Sequence, residues 1–141
     1  MNASCPLCQP DRETVLWQDH AARVVLVDDP LYPGFCRVIW QTHVAEMTDL
    51  APAQRRHLMA LVLGVETVLR QALQPAKINL ASLGNQVPHL HWHVIPRFAD
   101  DATFPDAIWA TPRRPGLTRG VDVAALREAL HSAMPAAAGS A

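Results

Sequence analysis

The sequence has no long hydrophobic run and no excess of charge of one sign. No apolar stretch approaches the roughly 20 residues that a membrane-spanning helix needs, so we expect no membrane contact. The net charge is −1 with the histidines neutral, and this balance lacks the broad positive field that attracts nucleic acid. A solvated loop accounts for the one late group of arginines, which comprises Arg113, Arg114 and Arg119. We therefore expect no nucleic-acid partner.

Targeting signals and cysteines are also scarce. Residues 1–5 lack the basic and apolar regions of a signal peptide, which predicts a cytoplasmic location. The three cysteines are an odd number, and in a reducing compartment they are not expected to form a disulfide framework. With 141 residues, half of them apolar, the chain is long enough for the core of one domain. We predict a single domain over 1–133 and a flexible tail over 134–141.

The apolar pattern predicts an α+β fold, in which a long helix covers one face of an antiparallel sheet of about five strands. Short apolar runs, several of them β-branched, predict strands over 14–17, 23–27, 35–40, 77–83 and 89–95. Pro96 is predicted to close the last strand. The long helix begins at Pro52 and ends before Gln74-Pro75, and its apolar stripe comprises Leu58, Leu61, Val62, Val65, Leu69, Ala72 and Leu73. Asp122 is predicted to cap a short C-terminal helix through Leu130.

Three histidines alternate along the last predicted strand, at His89, His91 and His93. Alternate side chains of a strand point to the same face, so the three imidazoles are predicted to share the outer face. The opposite face is predicted to pack under the long helix, and it comprises Leu90, Trp92 and Val94. With seven histidines in 141 residues, this spacing has a chance probability of about 2%.

The spacing alone leaves three interpretations open. The face could be a polar surface that carries histidines by chance. It could be a metal site, because alternating histidines on a strand can converge on one ion. It could also be a site of nucleophilic catalysis, in which neighbours hold a neutral imidazole in one tautomer. The flanking residues help to choose among them.

The sequence around the histidines, GNQVPHLHWHVIPR over residues 84–97, resembles the signature of the histidine triad (HIT) family of nucleotide hydrolases and transferases. The resemblance extends to residues 34–43, which are similar to the family's strand that ends in a histidine. It also covers the long helix and the start Cys5-Pro6-Leu7-Cys8, so that residues 5–98 are included. The resemblance implies a HIT-like fold, a purine nucleotide substrate and a homodimer.

The resemblance implies roles for the three histidines. In the family the middle histidine, here His91, attacks the α-phosphorus, forms a covalent nucleotidyl-imidazole and then passes the nucleotide to water. His93 is expected to hydrogen-bond the phosphate oxygens or the leaving group, and His89 is the first histidine of the triad. Phosphoryl transfer requires mainly positioning and charge stabilisation from the protein. A backbone carbonyl that accepts the Nδ1–H of the nucleophile would leave its Nε2 free to attack.

Further polar residues match nucleotide-binding positions of the family. Asp28 or Asp29 falls where members hold the ribose hydroxyls, and a carboxylate in a proline-rich turn is the alternative interpretation. Asn79 resembles the polar residue on the preceding strand, although the turn that follows is one residue shorter than usual. Asn85 and Gln86 occupy phosphate-contacting positions, and their side chains differ from the usual pattern.

Two aromatic residues are also noteworthy in this comparison. Phe35 stands where many members have a further histidine that supports the catalytic face. Trp109 is expected to fold over the active site, and ordinary burial is the alternative. The absence of an imidazole at the first position is expected to alter rate or pH dependence.

The two N-terminal cysteines allow two interpretations. A C-x-x-C pair could be a redox pair, but no helix with a suitable pattern follows it. Some bacterial HIT proteins use such a pair for structural zinc, and the matching residues here are Cys5, Cys8, His43 and His89. Two sulfurs and two nitrogens suit tetrahedral Zn²⁺, and four protein ligands leave no open position for catalysis. Cys36 is expected to be a small buried residue.

The leading hypothesis is a nucleotidyl hydrolase or transferase that acts on purine nucleoside 5′-phosphoramidates or dinucleoside polyphosphates. The residues require no divalent ion for the chemistry. A first alternative is a nucleotide-binding adaptor with little turnover, although an intact His91 argues against it. A second alternative is a catalytic metal enzyme, which would lose activity on chelation while its fold survives.

Overall fold

The computed structural model describes residues 2–135 and has the predicted α+β architecture. The strands are β1 (Thr14–Gln18), β2 (Ala22–Leu26), β3 (Cys36–Trp40), β4 (Lys77–Ala81) and β5 (His91–Arg97). The helices are α1 (Pro52–Leu73) and α2 (Val123–Ala133), with a short 3-10 turn at Met47–Asp49. All strand pairs are antiparallel, and the order across the sheet is β1-β2-β3-β5-β4. Within residues 2–135, neither helix has the length and hydropathy of a membrane span.

The long helix α1 begins and ends where the sequence predicts. Pro52 occupies its first turn, where a missing N–H costs no hydrogen bond. Ala51 offers no side-chain cap, and its own N–H donates to Gln54 Oε1 at 2.8 Å. At the other end Gln74 adopts a left-handed conformation, with φ of 49°, and its N–H donates to the Arg70 carbonyl. These contacts satisfy polar groups that a helix terminus leaves free.

One face of the sheet packs against α1 and forms the main core. The predicted inward set of β5, which comprises Leu90, Trp92 and Val94, lies in this cluster with the apolar stripe of α1. The second helix packs against α1 and β1 through Leu126 and Leu130, and the Asp122 carboxylate caps it at Ala125 N–H. Met134 also packs against this core. The rest of the predicted tail, 136–141, lies outside the described residues.

Two predicted strands have wrong bounds. The fourth strand ends at Ala81 rather than Leu83, and the fifth begins at His91 rather than His89 and continues through Pro96. Before His91 the chain leaves the β5 ladder, because the Leu90 N–H donates to the Val44 carbonyl at 2.7 Å. Proline is tolerated late in β5 because β3 pairs with β5 only as far as Val94, so the missing N–H costs no ladder bond on that side.

Candidate active site and cysteine–histidine cluster

The central imidazole, His91, is held by its own chain. Its Nδ1 lies 2.6 Å from the backbone oxygen of His89. A carbonyl can only accept, so Nδ1 carries the proton and the lone pair of Nε2 is free. The Ser82 hydroxyl donates to the His91 carbonyl at 2.7 Å and so links the end of β4 to this residue. The arrangement presents an unprotonated ring nitrogen from a fixed backbone position.

The second imidazole, His93, packs at right angles to the first. The ring centroids of His91 and His93 are 4.9 Å apart with an interplanar angle of 85°. Phe35 and Trp109 flank His93, with centroids at 5.5 and 5.3 Å. Both histidines are buried, because the segment that carries Trp109 covers this side of the sheet. Among the described residues, His93 Nδ1 is buried and has no hydrogen-bond partner.

Burial keeps both imidazoles neutral. Burial, together with the smaller effects of the charges of His91 and Arg37, lowers the pKa of His93 to about 4. Burial also lowers the pKa of His91, although the hydrogen bond to the His89 carbonyl acts in the opposite direction. Near pH 7 the two rings are therefore uncharged, which is the protonation state that a nitrogen nucleophile requires.

The first histidine of the motif faces a different group of side chains. Its Nδ1 lies 3.5 Å from Cys5 Sγ, 3.4 Å from Cys8 Sγ and 3.1 Å from His43 Nδ1. The four side chains of Cys5, Cys8, His43 and His89 form one group whose ligand atoms all lie within 4.8 Å of one another. This cluster could hold a metal ion. The sequence predicted these four residues as the zinc ligands, and His89 lies just before β5, which begins at His91.

Two hydrogen bonds hold parts of the cluster in position. The His89 Nε2–H donates to the Trp40 carbonyl at 2.6 Å, so the lone pair of Nδ1 points to the cysteines. The Arg23 guanidinium donates to the Leu7 carbonyl at 2.9 Å and so fixes the C-x-x-C segment to β2. All three cysteines are free, and Cys36 is fully buried with a pKa raised to about 12 by burial. The predictions of no disulfide and of a buried Cys36 are confirmed.

A buried ion pair organises the segment that covers the histidines. Arg97 Nε donates to Asp101 Oδ2 at 2.8 Å and Arg97 Nη2 donates to Asp101 Oδ1 at 3.0 Å. The same carboxylate accepts the backbone N–H groups of Phe98, Thr103 and Phe104. Both partners of the pair are almost completely buried. The covering segment is therefore an ordered structure rather than an independent lid.

A family model described as HIT domain matches residues 10–100. The chain belongs to the HIT family. A histidine triad protein from Bradyrhizobium japonicum has 27% identity and a TM-score of 0.72, with 86% of this chain and 90% of that chain covered. A zinc-bound HIT protein from Mycobacterium smegmatis has 23% identity and a TM-score of 0.65, with 92% and 94% covered. These solved structures share the fold described above.

Two curated proteins are similar to part of this HIT protein. The asymmetrical bis(5′-nucleosyl)-tetraphosphatase of Schizosaccharomyces pombe is 30% identical over 86 residues, which are 57% of this chain and 47% of that protein. The AP-4-A phosphorylase of Mycobacterium tuberculosis is 30% identical over 96 residues, which are 64% and 49% of the two chains. The chain thus spans about half the length of these relatives.

The residues predicted to bind nucleotide lie in three parts of this HIT fold. Asp28 and Asp29 follow β2 and line a surface cavity of about 280 Å³ whose lining includes none of the histidines. Asn79 lies on β4, and its side-chain oxygen accepts from Arg97 Nη1 at 2.8 Å. Asn85 and Gln86 are exposed in the loop between β4 and β5. The structure brings together the histidines and the cysteines, and the pairing of Asn79 with Ile95, two residues from His93, places Asn79 on the face of the sheet that carries His91 and His93.

Two residues that lie close to the histidines were missed in the sequence. The Ser82 hydroxyl contacts the His91 backbone, which no spacing rule predicts. Arg37 lies opposite His93 across the β3–β5 pair, on the same face of the sheet. The sequence could have indicated Arg37, because it is a charged residue between apolar residues of a central strand. Its neighbours Cys36 and Val38 are fully buried.

Proposed function

We propose that this HIT protein is a nucleotidyl hydrolase or transferase that cleaves at the α-phosphate of nucleoside phosphoramidates or dinucleoside polyphosphates. The hydrogen bond between His91 Nδ1 and the His89 carbonyl carries the proposal, because it leaves a neutral Nε2 free to attack. The relatives named as a tetraphosphatase and a phosphorylase support a dinucleoside polyphosphate as one substrate class. A purine base is expected from the family resemblance.

The reaction proceeds in two displacements at phosphorus. His91 Nε2 attacks the α-phosphorus, a nitrogen–phosphorus bond forms, and the leaving group departs with the electron pair of the broken bond. Positive charge then develops on the imidazole, where the His89 carbonyl stabilises the Nδ1–H. Water attacks the phosphorus next and loses a proton to solvent, the nitrogen–phosphorus bond breaks with its electron pair returning to Nε2, and the nucleoside monophosphate is released. In a transferase, phosphate takes the place of water.

The remaining site residues act by binding. His93 is proposed to bind a phosphate oxygen or the leaving group, since its buried Nδ1 has no partner among the described residues. Trp109 is half exposed beside His93 and is proposed to close over the substrate. A further set of polar residues is proposed to hold ribose and phosphate oxygens of the nucleotide, and it comprises Asp28, Asp29, Asn79, Asn85 and Gln86.

The cysteine–histidine cluster is proposed to bind structural zinc. A tetrahedral Zn²⁺ with ordinary bond lengths places its sulfur and nitrogen ligands about 3.3–3.8 Å apart. The four contacts among Cys5, Cys8, His43 and His89, from 3.1 to 3.5 Å, are close to this spacing. Bound zinc supplies a crosslink between the N-terminal segment and the sheet. The chemistry at phosphorus is left to His91, because four protein ligands leave zinc no open position.

A homodimer is also proposed. β4 is an edge strand of the described sheet, and an uncovered edge can pair with a second chain. Sedimentation equilibrium at micromolar concentration should give twice the chain mass, and the mass of one chain would exclude the dimer. The predicted cytoplasmic location remains a prediction.

Turnover of two substrates tests the proposed function. Purified protein is incubated with adenosine 5′-phosphoramidate and with diadenosine tetraphosphate, and products are separated by chromatography. We expect AMP from the wild type and at least a thousandfold lower rate from His91→Ala, because loss of a nucleophile removes the covalent route. His131→Ala, a substitution on α2, is the matched control and should retain the wild-type rate.

The alternative functions give different results. Binding of AMP without turnover by any variant would favour the nucleotide-binding adaptor. Loss of activity on chelation with an unchanged thermal unfolding curve would favour the catalytic metal enzyme. Equal rates for the wild type and His91→Ala would contradict the assignment of the nucleophile.

A further inference from the structure

Three arginines lie on the histidine face of the sheet. The register places Arg23 opposite Ile39, and Ile39 opposite His91. It places Arg37 opposite His93, and Arg97 follows His93 at an even spacing along β5. Directly opposed residues of antiparallel strands, and alternate residues of one strand, share a face. The three guanidinium groups are therefore on the side of the sheet that carries His91 and His93.

Two of these arginines are neutralised. Arg23 donates Nε and Nη2 to the two oxygens of Glu13 at 2.7 and 2.9 Å. Arg97 forms the corresponding pair with Asp101, at 2.8 and 3.0 Å. Such bidentate pairs use the planar fork of the guanidinium and leave little net charge. Neither arginine offers a free positive charge to a ligand.

Arg37 differs from both. Among the described residues it forms no salt bridge, and its Nε is buried with no hydrogen-bond partner. The nearby Glu13 is already engaged by Arg23 through both of its oxygens. The Arg37 guanidinium carbon lies 5.6 Å from the centre of the Phe35 ring, which itself packs on His93. An unsatisfied cationic donor at a partly buried position is costly unless a ligand completes it.

We propose that Arg37 is a catalytic residue that binds the non-bridging oxygens of the α-phosphate during attack by His91. This inference rests on the proposed function. In-line displacement puts the attacking nitrogen and the leaving group on one axis, with the remaining phosphoryl oxygens around its equator. Arg37 lies on β3, the strand next to the one that carries His91, so it is beside the nucleophile and not in line with it behind the leaving group. From this side it faces the equatorial oxygens. Its fixed positive charge stabilises the negative charge on those oxygens in the transition state.

The assignment predicts how the effect depends on the substrate. A contact with the α-phosphate is common to every substrate class, whereas a contact with the leaving group is not. Arg37→Gln should therefore lower kcat/KM about a hundredfold on both adenosine 5′-phosphoramidate and diadenosine tetraphosphate. Arg37→Lys keeps the positive charge but loses the planar guanidinium that can donate two parallel hydrogen bonds, and it should lower kcat/KM about tenfold. Arg56→Gln, an exposed arginine on α1, is the matched control and should leave both rates unchanged.

Two readouts separate a phosphate contact from a structural role. The first is the ratio of the rates for the two diastereomers of an α-thio substrate. The wild type should prefer one diastereomer, and Arg37→Gln should reduce this ratio about tenfold. The second is calorimetric affinity for AMP and for adenosine, where Arg37→Gln should weaken AMP about tenfold and leave adenosine unchanged. Thermal unfolding of each variant shows whether the fold is intact.

The outcomes distinguish this inference from the proposed function. An active wild type whose rate, diastereomer preference and AMP affinity all survive Arg37→Gln overturns the role of Arg37 alone. A selective loss on diadenosine tetraphosphate overturns the α-phosphate contact and indicates a leaving-group contact. If the wild type turns over neither substrate, the proposed function fails, and the comparison of AMP with adenosine still decides whether Arg37 binds phosphate.

Discussion

Single side chains on the histidine face are held by buried partners. Arg97 and Asp101 form a pair in which each group is about 2% exposed, and the carboxylate accepts three further backbone N–H groups. Breaking a buried pair on one side leaves an uncompensated charge, which is far more costly than the loss of an exposed pair. The ordered cover over His93 thus depends on one carboxylate.

Asp101→Asn tests this dependence. We expect a loss of about 3 kcal/mol in the free energy of unfolding, because Arg97 loses its counter-charge inside the protein. Urea unfolding at pH 7 measures it. Asp106→Asn, which removes an exposed partner of Arg113, is the control and should not change stability measurably. Equal stability of the wild type and Asp101→Asn would contradict the structural role.

The pH dependence of this difference has a defined sign. Burial raises the pKa of Asp101, but the hydrogen bonds from Arg97 and the backbone outweigh burial, so the pKa lies below its usual range. A carboxyl whose pKa is lower in the folded state stabilises the protein above its unfolded pKa, and this contribution is lost as pH falls through the folded pKa. The difference in the free energy of unfolding between the wild type and Asp101→Asn should persist down to about pH 4 and become smaller below it.

At the same scale, the sequence predicts chemistry better than it predicts contacts. The His89-Leu90-His91-Trp92-His93 pattern predicted the alternation that the structure shows for His91 and His93. The pattern alone did not show that His89 faces the cysteines, whereas the family resemblance predicted His89 as a zinc ligand with Cys5, Cys8 and His43. The hydrogen-bond partners of Arg97 and Ser82 likewise cannot be predicted without the fold.

The elements of the fold meet closely at one turn between β2 and β3. Gly34 has φ of 83°, a conformation that favours glycine. A Cβ atom there would lie 2.4 Å from Leu73 Cδ1 at the end of α1 and 3.2 Å from Pro96 Cγ on β5. The turn, the long helix and the strand that carries the histidines are thus packed against one another at this position.

Gly34→Ala should therefore destabilise the protein by about 2–4 kcal/mol, from the strained backbone together with overpacking. Thermal and urea unfolding measure the change. Gly120→Ala is the matched control, because nothing lies within 4 Å of its added Cβ and its φ lies outside the left-handed region. A Gly34→Ala protein as stable as the Gly120→Ala protein would show that this contact is not tight.

Element types were predictable because they depend on local periodicity. Both helices follow from their apolar stripe, from Pro52 and from the Asp122 cap, and all five strands from short apolar runs. Strand ends were less predictable because they depend on neighbours. Pro96 stays in β5 only because β3 has already ended beside it, and a single sequence does not show where a partner strand stops.

At the scale of the whole molecule, the cysteine–histidine cluster joins segments that are distant in the chain. It connects the N-terminal Cys5 and Cys8 with His43 after β3 and with His89, whose carbonyl holds the nucleophile. Zinc bound there would couple the global stability of the protein to the orientation of His91. The cluster was predictable only through the family resemblance, since the spacing of a lone C-x-x-C does not identify its other ligands.

Metal removal should therefore loosen the whole fold. We expect one zinc per chain by elemental analysis of the wild type and less than a tenth of that in Cys8→Ser. When free zinc is present at a thousandfold excess over Kd, its binding adds about 4 kcal/mol to the free energy of unfolding. A chelator that removes the zinc should lower this free energy by the same amount, and thermal unfolding with and without chelator measures the change. Cys36→Ala, at a buried cysteine outside the cluster, should keep its zinc. An unchanged unfolding curve in chelator, with no bound metal, would contradict the proposed site.

The central claim is that His91 forms a covalent bond to the α-phosphorus. Rapid quenching of wild-type protein with adenine-labelled diadenosine tetraphosphate, followed by peptide mapping, tests it most directly. We predict label on the peptide that contains His91, with a bond that is stable in base and labile in acid, and no label on His91→Ala. Product formation at the full rate with no labelled peptide at any quench time would contradict the account.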